Sequence, residues 1–341
     1  MGRKKSKSKL KRPTNTKQVW RVKAPSTSAP PPPPWVELPR DVTANILQRL
    51  DLVDILESVQ KVCTTWRSVC RDPAMWRVID IRNDGYLQDK FDLNTMCCHA
   101  VDRSQGQLRD ITLEYFGDDE LLDYICQRSS HLKRLLLACC CDMTSKGLSE
   151  ALKKTPLLEE LHLNMIASVF PQEIETIGIS CPMLKSFSFT ERSRKFPFSY
   201  DSEDNEDLLM EGEARNAFVL AVAKTMPNLR HLGLFGSAMN NVGLKAILDD
   251  CPHLESLDIR QCLSVDLGGD LGKRLSQQIK NLRRPTDSTD DYVWDSCESY
   301  KDDCYTSELS DFYEDYTNPF SSEYLSDDDD WFMTVIDYDH F

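Results

Sequence analysis

The chain has 341 residues, 40% of them apolar and 28% charged, enough for about two folded domains with a buried core. No apolar run approaches 18 residues, which excludes a transmembrane helix. The basic N-terminus leads into no apolar stretch, which excludes a secretory signal, so the expected place of work is the nucleus, the cytoplasm or both.

The net charge of −14 averages three regimes. Residues 1–34 hold ten Lys or Arg and no acid, whereas residues 286–341 hold eighteen Asp or Glu against the single Lys301. Blocks of like charge repel themselves, so both ends read as disordered tails around a mildly acidic middle. There are thirteen cysteines, an odd number, and no C-x-x-C pair. That pattern favours reduced, buried thiols over a disulfide framework or a zinc site, and no metal ligand set is expected. Adjacent runs such as Cys97-Cys98-His99 and Cys139-Cys140-Cys141 point their side chains in different directions.

The tail at 1–34 opens with a basic cluster, Arg3 to Arg12, readable as a localisation signal, a nucleic-acid patch or a solvated tail. Pro30 to Pro34 then favour polyproline II, as a stiff spacer or a ligand for aromatic grooves. From Trp35 to Ile81 the pattern is helical. Val42, Ile46, Leu47 and Leu50 are placed on one face of a first helix that opens after Pro39. Asp51 suits the cap of a second, through Val53, Ile55 and Leu56. Val59, Val62, Cys63, Trp66 and Val69 predict a third, stopped by Pro73. So small a module has little core of its own and needs a partner or a neighbouring domain to cover its remaining apolar face.

An internal repeat follows over 82–285. The template L-x-x-L-x-L, with Ile or Phe allowed, begins at Leu108, Leu132, Leu158, Leu184, Leu229 and Leu254. Successive offsets are 24, 26, 26, 45 and 25 residues, so four of the five fit a leucine-rich repeat. The long one holds an acidic insertion at 191–213. Helical stretches alternate with the strands, at Glu120–Cys126, Lys146–Leu152, Ala214–Val222 and Asn241–Leu248. The expected fold class is therefore an α/β solenoid, strand-helix units in a curved arc, preceded by a small all-α module and flanked by disordered tails.

In such an arc the side chains between the buried leucines face the concave side. They are Asp110, Thr112, Glu114, Arg134, Leu136, Glu160, His162, Asn164, Ser188, His231, Phe235, Asp258 and Arg260. Of these, Glu114, Arg134, Glu160, His162, His231, Phe235, Asp258 and Arg260 are the candidates for binding a target. A helix from Leu267 to Leu282, ended by Pro285, is expected to cap the last unit. The tail from 286 interleaves aromatic residues with carboxylates, a composition that docks on basic partners or stays solvated.

Two resemblances bear on function. Trp35–Ile81 resembles the F-box, through Leu38-Pro39, Ile46-Leu47 with Leu50, Val62-Cys63, Trp66-Arg67, and Pro73 with Trp76-Arg77. The repeats resemble the cysteine-containing class of leucine-rich repeats. Cys140 and Cys262 stand three residues after the last apolar strand position, and Cys181-Pro182 and Cys251-Pro252 close convex helices. The chain is similar as a whole to plant F-box/LRR-repeat proteins of the Skp1-interacting-partner type. Departures are the acidic insertion, Phe187 and Phe189 in place of leucines, and the acidic tail.

The resemblance implies a non-catalytic adaptor of an SCF-type ubiquitin ligase. Leu38, Pro39, Ile46, Leu47, Leu50 and Val59 would contact a Skp1-like protein and, through it, a cullin and a RING subunit. Those residues equally suit the module's own core. The repeats would grip an unidentified protein substrate. An interaction scaffold working without ubiquitylation is the competing reading, and a small-molecule receptor a third. No cofactor, no membrane and no clear nucleic acid are implied. No catalytic residue is assigned, because His131 and His253 fill one repeat slot and the other histidines lie in no pocket-building loop. Gly268-Gly269 to Gly272-Lys273 has the wrong spacing for a phosphate loop and reads as a turn.

Overall fold

The structure, a computed structural model, describes residues 35, 38–82, 87, 90–166, 169–191 and 212–292. The expected tail at 1–34, the core of the acidic insertion and the chain beyond 292 lie outside the described residues. The chain divides into two compact units after Pro39. Of the first, only Trp35, Leu38 and Pro39 are described, so the described α-helices and strands all belong to the second.

Three short helices open it, α1 (Arg40–Leu47), α2 (Leu52–Glu57) and α3 (Thr64–Cys70). The third predicted helix is interrupted. A 3-10 turn covers Val59–Lys61, and α3 restarts at Thr64 with Cys63 as its cap, the thiol accepting from the Trp66 N–H at 3.5 Å. A second 3-10 turn, Pro73–Trp76, leads into β1 (Val78–Arg82).

Strand and helix then alternate. The helices are α4 (Leu93–Ser104), α5 (Asp119–Arg128), α6 (Ser145–Leu152), α7 (Pro171–Ser180), α8 (Gly212–Thr225), α9 (Asn241–Asp250) and α10 (Gly269–Gln278). The strands are β2 (Asp110–Glu114), β3 (Arg134–Ala138), β4 (Glu160–Ile166), β5 (Ser186–Glu191), β6 (His231–Gly233), β7 (Ser256–Asp258) and β8 (Asn281–Arg283). All eight strands pair in parallel and in chain order. Their register places Ile79, Ile111, Leu135, Leu161, Phe187, Leu232, Leu257 and Leu282 side by side in one inward row. One unit alone would leave its leucines wet. Stacking buries those on the inner strands between two neighbours, worth about 1.5–3 kcal/mol per side chain.

Two strands were not among the six expected. Trp76-x-x-Ile79-x-Ile81 obeys the repeat template with tryptophan in the first slot, so the last turn of the helical module is also the first repeat. Its helix, α4, starts at Asp92, whose carboxylate accepts from the Thr95 N–H at 3.0 Å. At the other end the predicted cap helix stops at Gln278. Ile279 turns extended, and Leu282 pairs in register with Leu257. A four-residue spacing of apolar side chains fits both a helix and a helix-to-strand switch. The glycines here serve the helix start: Gly269 has φ +68°, and a side chain on Gly272 would meet the Leu267 carbonyl.

The aromatic substitutions in β5 have a partner. Phe187 and Phe189 pack on Phe218 of α8 at 6.5 and 4.4 Å between ring centroids. The buried thiols tie one repeat to the one before it. Cys140 donates to the Leu113 carbonyl at 3.7 Å and Cys262 to that of Leu234 at 2.9 Å. Cys181 and Cys251 do the same at the helix ends, toward Leu152 and Met226. Burial pushes the first three up to about 12 and Cys251 to about 11, so they remain protonated donors.

Side-chain amides do similar work at helix starts. The buried Asn216 accepts from the backbone N–H groups of Asn240 and Gly243 at 3.1 and 3.2 Å, and donates to the Asn240 side chain. Removing it strands two amide donors away from water, so Asn216→Ala should lower stability by about 2 kcal/mol or more. Urea unfolding monitored by far-ultraviolet circular dichroism measures it; an unchanged midpoint would show that the amide bridge is dispensable.

Candidate functional site

Two surfaces offer themselves for contact. The first is the outer side of the helical module. Positions 42, 46 and 50 recur every four residues and stay outside: Val42 is 40% exposed, Ile46 45% and Leu50 39%, with Val62 at 52% beyond α2. Thr43 and Leu47 repeat with the same spacing on the inner side and are buried. The expectation that Leu47 shares a face with Ile46 is therefore corrected, since one residue along a helix turns the side chain by about 100°. Val59 is corrected likewise: it lies buried in the 3-10 turn that closes the module's core. Neither presents itself to a partner. In the first unit, Leu38 is half-buried and Pro39 exposed. The start of α1 is fixed by Arg40, which reaches Ser68 Oγ at 2.9 Å and Asp72 at 3.0 Å.

The second surface is the open face of the sheet. Register sorts its side chains into rows. One runs Val78, Asp110, Arg134, Glu160, Ser186, His231, Ser256 and Asn281; the next runs Asp80, Thr112, Leu136, His162, Ser188, Gly233, Asp258 and Arg283. The eight predicted target-binding residues separate into two clusters with His231 between them.

Toward the helical module, Arg134 bridges Asp110 at 3.1 Å and Glu160 at 3.3 Å, and His162 reaches Glu160 at 3.7 Å. Glu114 faces Arg82 at 3.9 Å. Toward the other end, Asp258 and Arg260 pair at 2.8 Å, and the Arg260 guanidinium lies 5.6 Å from the ring of Phe235. His231 is exposed, flanked in register by Ser186 and Ser256.

Sequence reasoning missed Asp80, Arg82, Arg283, Asp291 and Tyr292. The first three sit on the unrecognised strands β1 and β8. The last two belong to residues 286–292, which were assigned to the tail yet fold back on this face: Tyr292 stacks on Phe235, centroids 4.0 Å apart and planes within 5°. The signal available was Trp76 and Ile279 standing in leucine slots.

The electrostatics follow from partial burial. Desolvation holds the Asp110 carboxyl above its usual range, against the pull of Arg134. Arg260 is pushed up by its hydrogen bonds to Asp258. His162 is pulled below 6.5, first by burial and then by the charge of Arg134, with Glu160 opposing.

Ser188 Oγ, His162 Nδ1 and Glu160 stand in a line, the first contact 2.8 Å. They do not make a catalytic relay. Ser188 lies inside a strand whose neighbours on both sides are paired, so the nearby amides are spent in the ladder rather than free to stabilise an oxyanion. What the cluster offers is a fixed array of donors and acceptors.

Comparison with known proteins adds the family. A family profile described as F-box-like matches residues 35–82. F-box protein SKIP19 of Arabidopsis thaliana is 45% identical over 75% of this chain and 79% of its own length. The chain belongs to the plant F-box/LRR-repeat family. F-box/LRR-repeat protein 23 of the same plant is 46% identical over 75% of this chain, which spans about half of that relative, 54%. Among solved structures, a leucine-rich repeat-containing protein of Legionella pneumophila aligns with 60% of this chain and 64% of its own, at 15% identity and a TM-score of 0.39. The F-box is thus the helical module through β1, and the leucine-rich repeats are the strand-helix units stacked on it.

His162 supplies a test of the open face. Because its folded pKa is depressed, its contribution to stability is complete above 6.5 and is lost as pH falls from 6.5 through the folded value. NMR titration should find its imidazole midpoint below 6.5, and His162→Gln should flatten that part of the stability profile. A midpoint at or above 6.5 would contradict the assigned burial.

Proposed function

We propose that this F-box/LRR protein is the substrate-recognition adaptor of an SCF-type ubiquitin ligase. The F-box docks a Skp1-like protein, and through it the cullin and the RING subunit. The repeats hold the protein to be ubiquitylated. The adaptor supplies no catalytic group; its contribution is proximity, holding a target lysine near the loaded conjugating enzyme. Such a role lies in the nucleus or the cytoplasm.

The observation that supports this reading best is that Val42, Ile46, Leu50 and Val62 stay exposed on a module whose inner side is already closed by Leu47, Ile55, Leu56 and Val59. Apolar side chains left wet on a small helical module mark a protein-contact surface. The F-box-like match and the 45% identity to SKIP19 point the same way. With Leu47 and Val59 turned inward, the contact residues on the second unit become Val42, Ile46, Leu50 and Val62, while Leu38 and Pro39 are kept on the F-box resemblance alone.

The experiment is a pull-down with a purified plant Skp1-like protein. The intact chain should bind. Ile46→Asp with Leu50→Asp should weaken binding about a hundredfold or more, since each places a charge in a desolvated contact. Leu38→Ala with Pro39→Ala should weaken it too. Circular dichroism of each variant should match the parent. Folded variants that bind as well as the parent would overturn the docking surface.

A further inference from the structure

At the β6–β7–β8 end of the open face, a turn made by residues 284–292 lies over side chains assigned to target binding. The turn is held both from the preceding repeat and from within. The Pro285 carbonyl accepts from the Gln261 N–H at 2.9 Å, Asp287 accepts from the Arg284 N–H at 2.7 Å, and the Thr289 carbonyl accepts from the Tyr292 N–H at 2.8 Å. It adds no strand to the sheet. Instead it lowers one carboxylate and one ring onto the face. Arg260 Nη1 donates to the Ser288 carbonyl at 2.9 Å and to Asp291. Arg283 pairs with the same Asp291. Tyr292 covers Phe235 in a parallel stack.

The receiving side has contacts of its own besides those to the turn. Asp258 holds the Arg260 guanidinium through Nε at 3.0 Å and Nη2 at 2.8 Å, which leaves Nη1 directed at the incoming acid. Phe235 lies 5.6 Å from that guanidinium and stacks on the Tyr292 ring. The side chain of Arg260 is only 5% exposed under the turn, yet those of Arg283 and Asp291 are each about half exposed, 51% and 53%. The contact is closed at its centre and open at its rim, so solvent and competing anions reach it.

We infer that this end of the repeat face is a recognition site for a peptide carrying an acidic residue followed by an aromatic one, occupied here in cis by Asp291 and Tyr292. This deepens the adaptor reading and rests on it for one point only, that the peptide outside the chain belongs to a protein target. Beyond residue 286 an acidic residue precedes an aromatic one five more times, at Asp311-Phe312, Asp315-Tyr316, Glu323-Tyr324, Asp330-Trp331 and Asp337-Tyr338, so this stretch carries six copies of the motif. A cis copy at the end of a short connection acts at an effective concentration of about millimolar, which a target segment must outcompete.

The test uses the full-length chain and a fluorescent peptide of its own sequence Asp287–Tyr292. In one variant every acidic-aromatic pair beyond residue 286 is removed, by Ala at both residues of the six pairs that begin at Asp291, Asp311, Asp315, Glu323, Asp330 and Asp337. By fluorescence anisotropy this variant should bind the peptide about tenfold tighter than the parent, because the cis competitor is gone. Adding Arg260→Ala should return binding to background, and a peptide with Ala in place of its last Asp and Tyr should not bind. If the stripped chain, folded by circular dichroism, binds no better than the parent, or binds equally with Arg260→Ala, the site is wrong. No Skp1-like protein enters this assay. Its failure therefore leaves F-box docking standing, and failed docking leaves this site standing.

Discussion

Trp76 belongs to two structures at once. Its indole N–H donates to the Cys70 carbonyl at 2.8 Å, closing the F-box, while its ring fills the first apolar slot of the repeat stack. Around it the two parts are stitched together. Arg103 of α4 lies over the indole at 5.4 Å and reaches back to Gln60 at 3.1 Å, and the Arg77 carbonyl accepts from the Arg109 N–H at 2.8 Å. β1 then pairs with β2 in unbroken register over five residues. The F-box is therefore the first layer of the solenoid and not a bead on a linker. The adaptor role proposed above depends on such a joint, because a loose connection would spread a bound target over many orientations.

From that joint onward each repeat rests on the one before it. Leucines fill the inner row, thiols donate backward to carbonyls, and Asp, Thr and Asn side chains cap helix starts across the repeat boundary. Asp119, for example, accepts from the Thr144 N–H at 2.8 Å while Thr144 caps α6. The loop edge adds an alternating ladder. Lys133 and Lys185 clamp Glu159 at 2.6 and 2.7 Å and hold its carboxyl down to about 2. Exposed pairs of this kind contribute little, about 0–1 kcal/mol each.

The repeat was legible because leucine spacing reports burial directly. Six of the eight described strands and the α/β solenoid followed from it. Trp76 and Ile279 hid the two terminal units: a tryptophan before β1 looked like the last turn of a helical module, and Leu267 to Leu282 satisfied helical spacing until Ile279 turned extended. The exposed row was legible as well, since alternation along a strand leaves two faces. Which of those side chains meet was not legible, because pairing across strands depends on the distance between repeats. The inward turn of Leu47 and Val59 was lost for a different reason: in a module this small every apolar residue suits both the core and an interface. The fold-back of Asp291 and Tyr292 had no local signal, their composition being that of the tail.

The fused F-box and first repeat are most directly examined by native-state hydrogen exchange on the full chain. Amides of α3 and β1 should exchange through the same opening as those of β2 and β3, with equal protection and equal response to denaturant. Exchange of α3 and β1 through a separate, lower opening while β2 and β3 stay protected would contradict it, and would make the F-box a module merely tethered to the repeats.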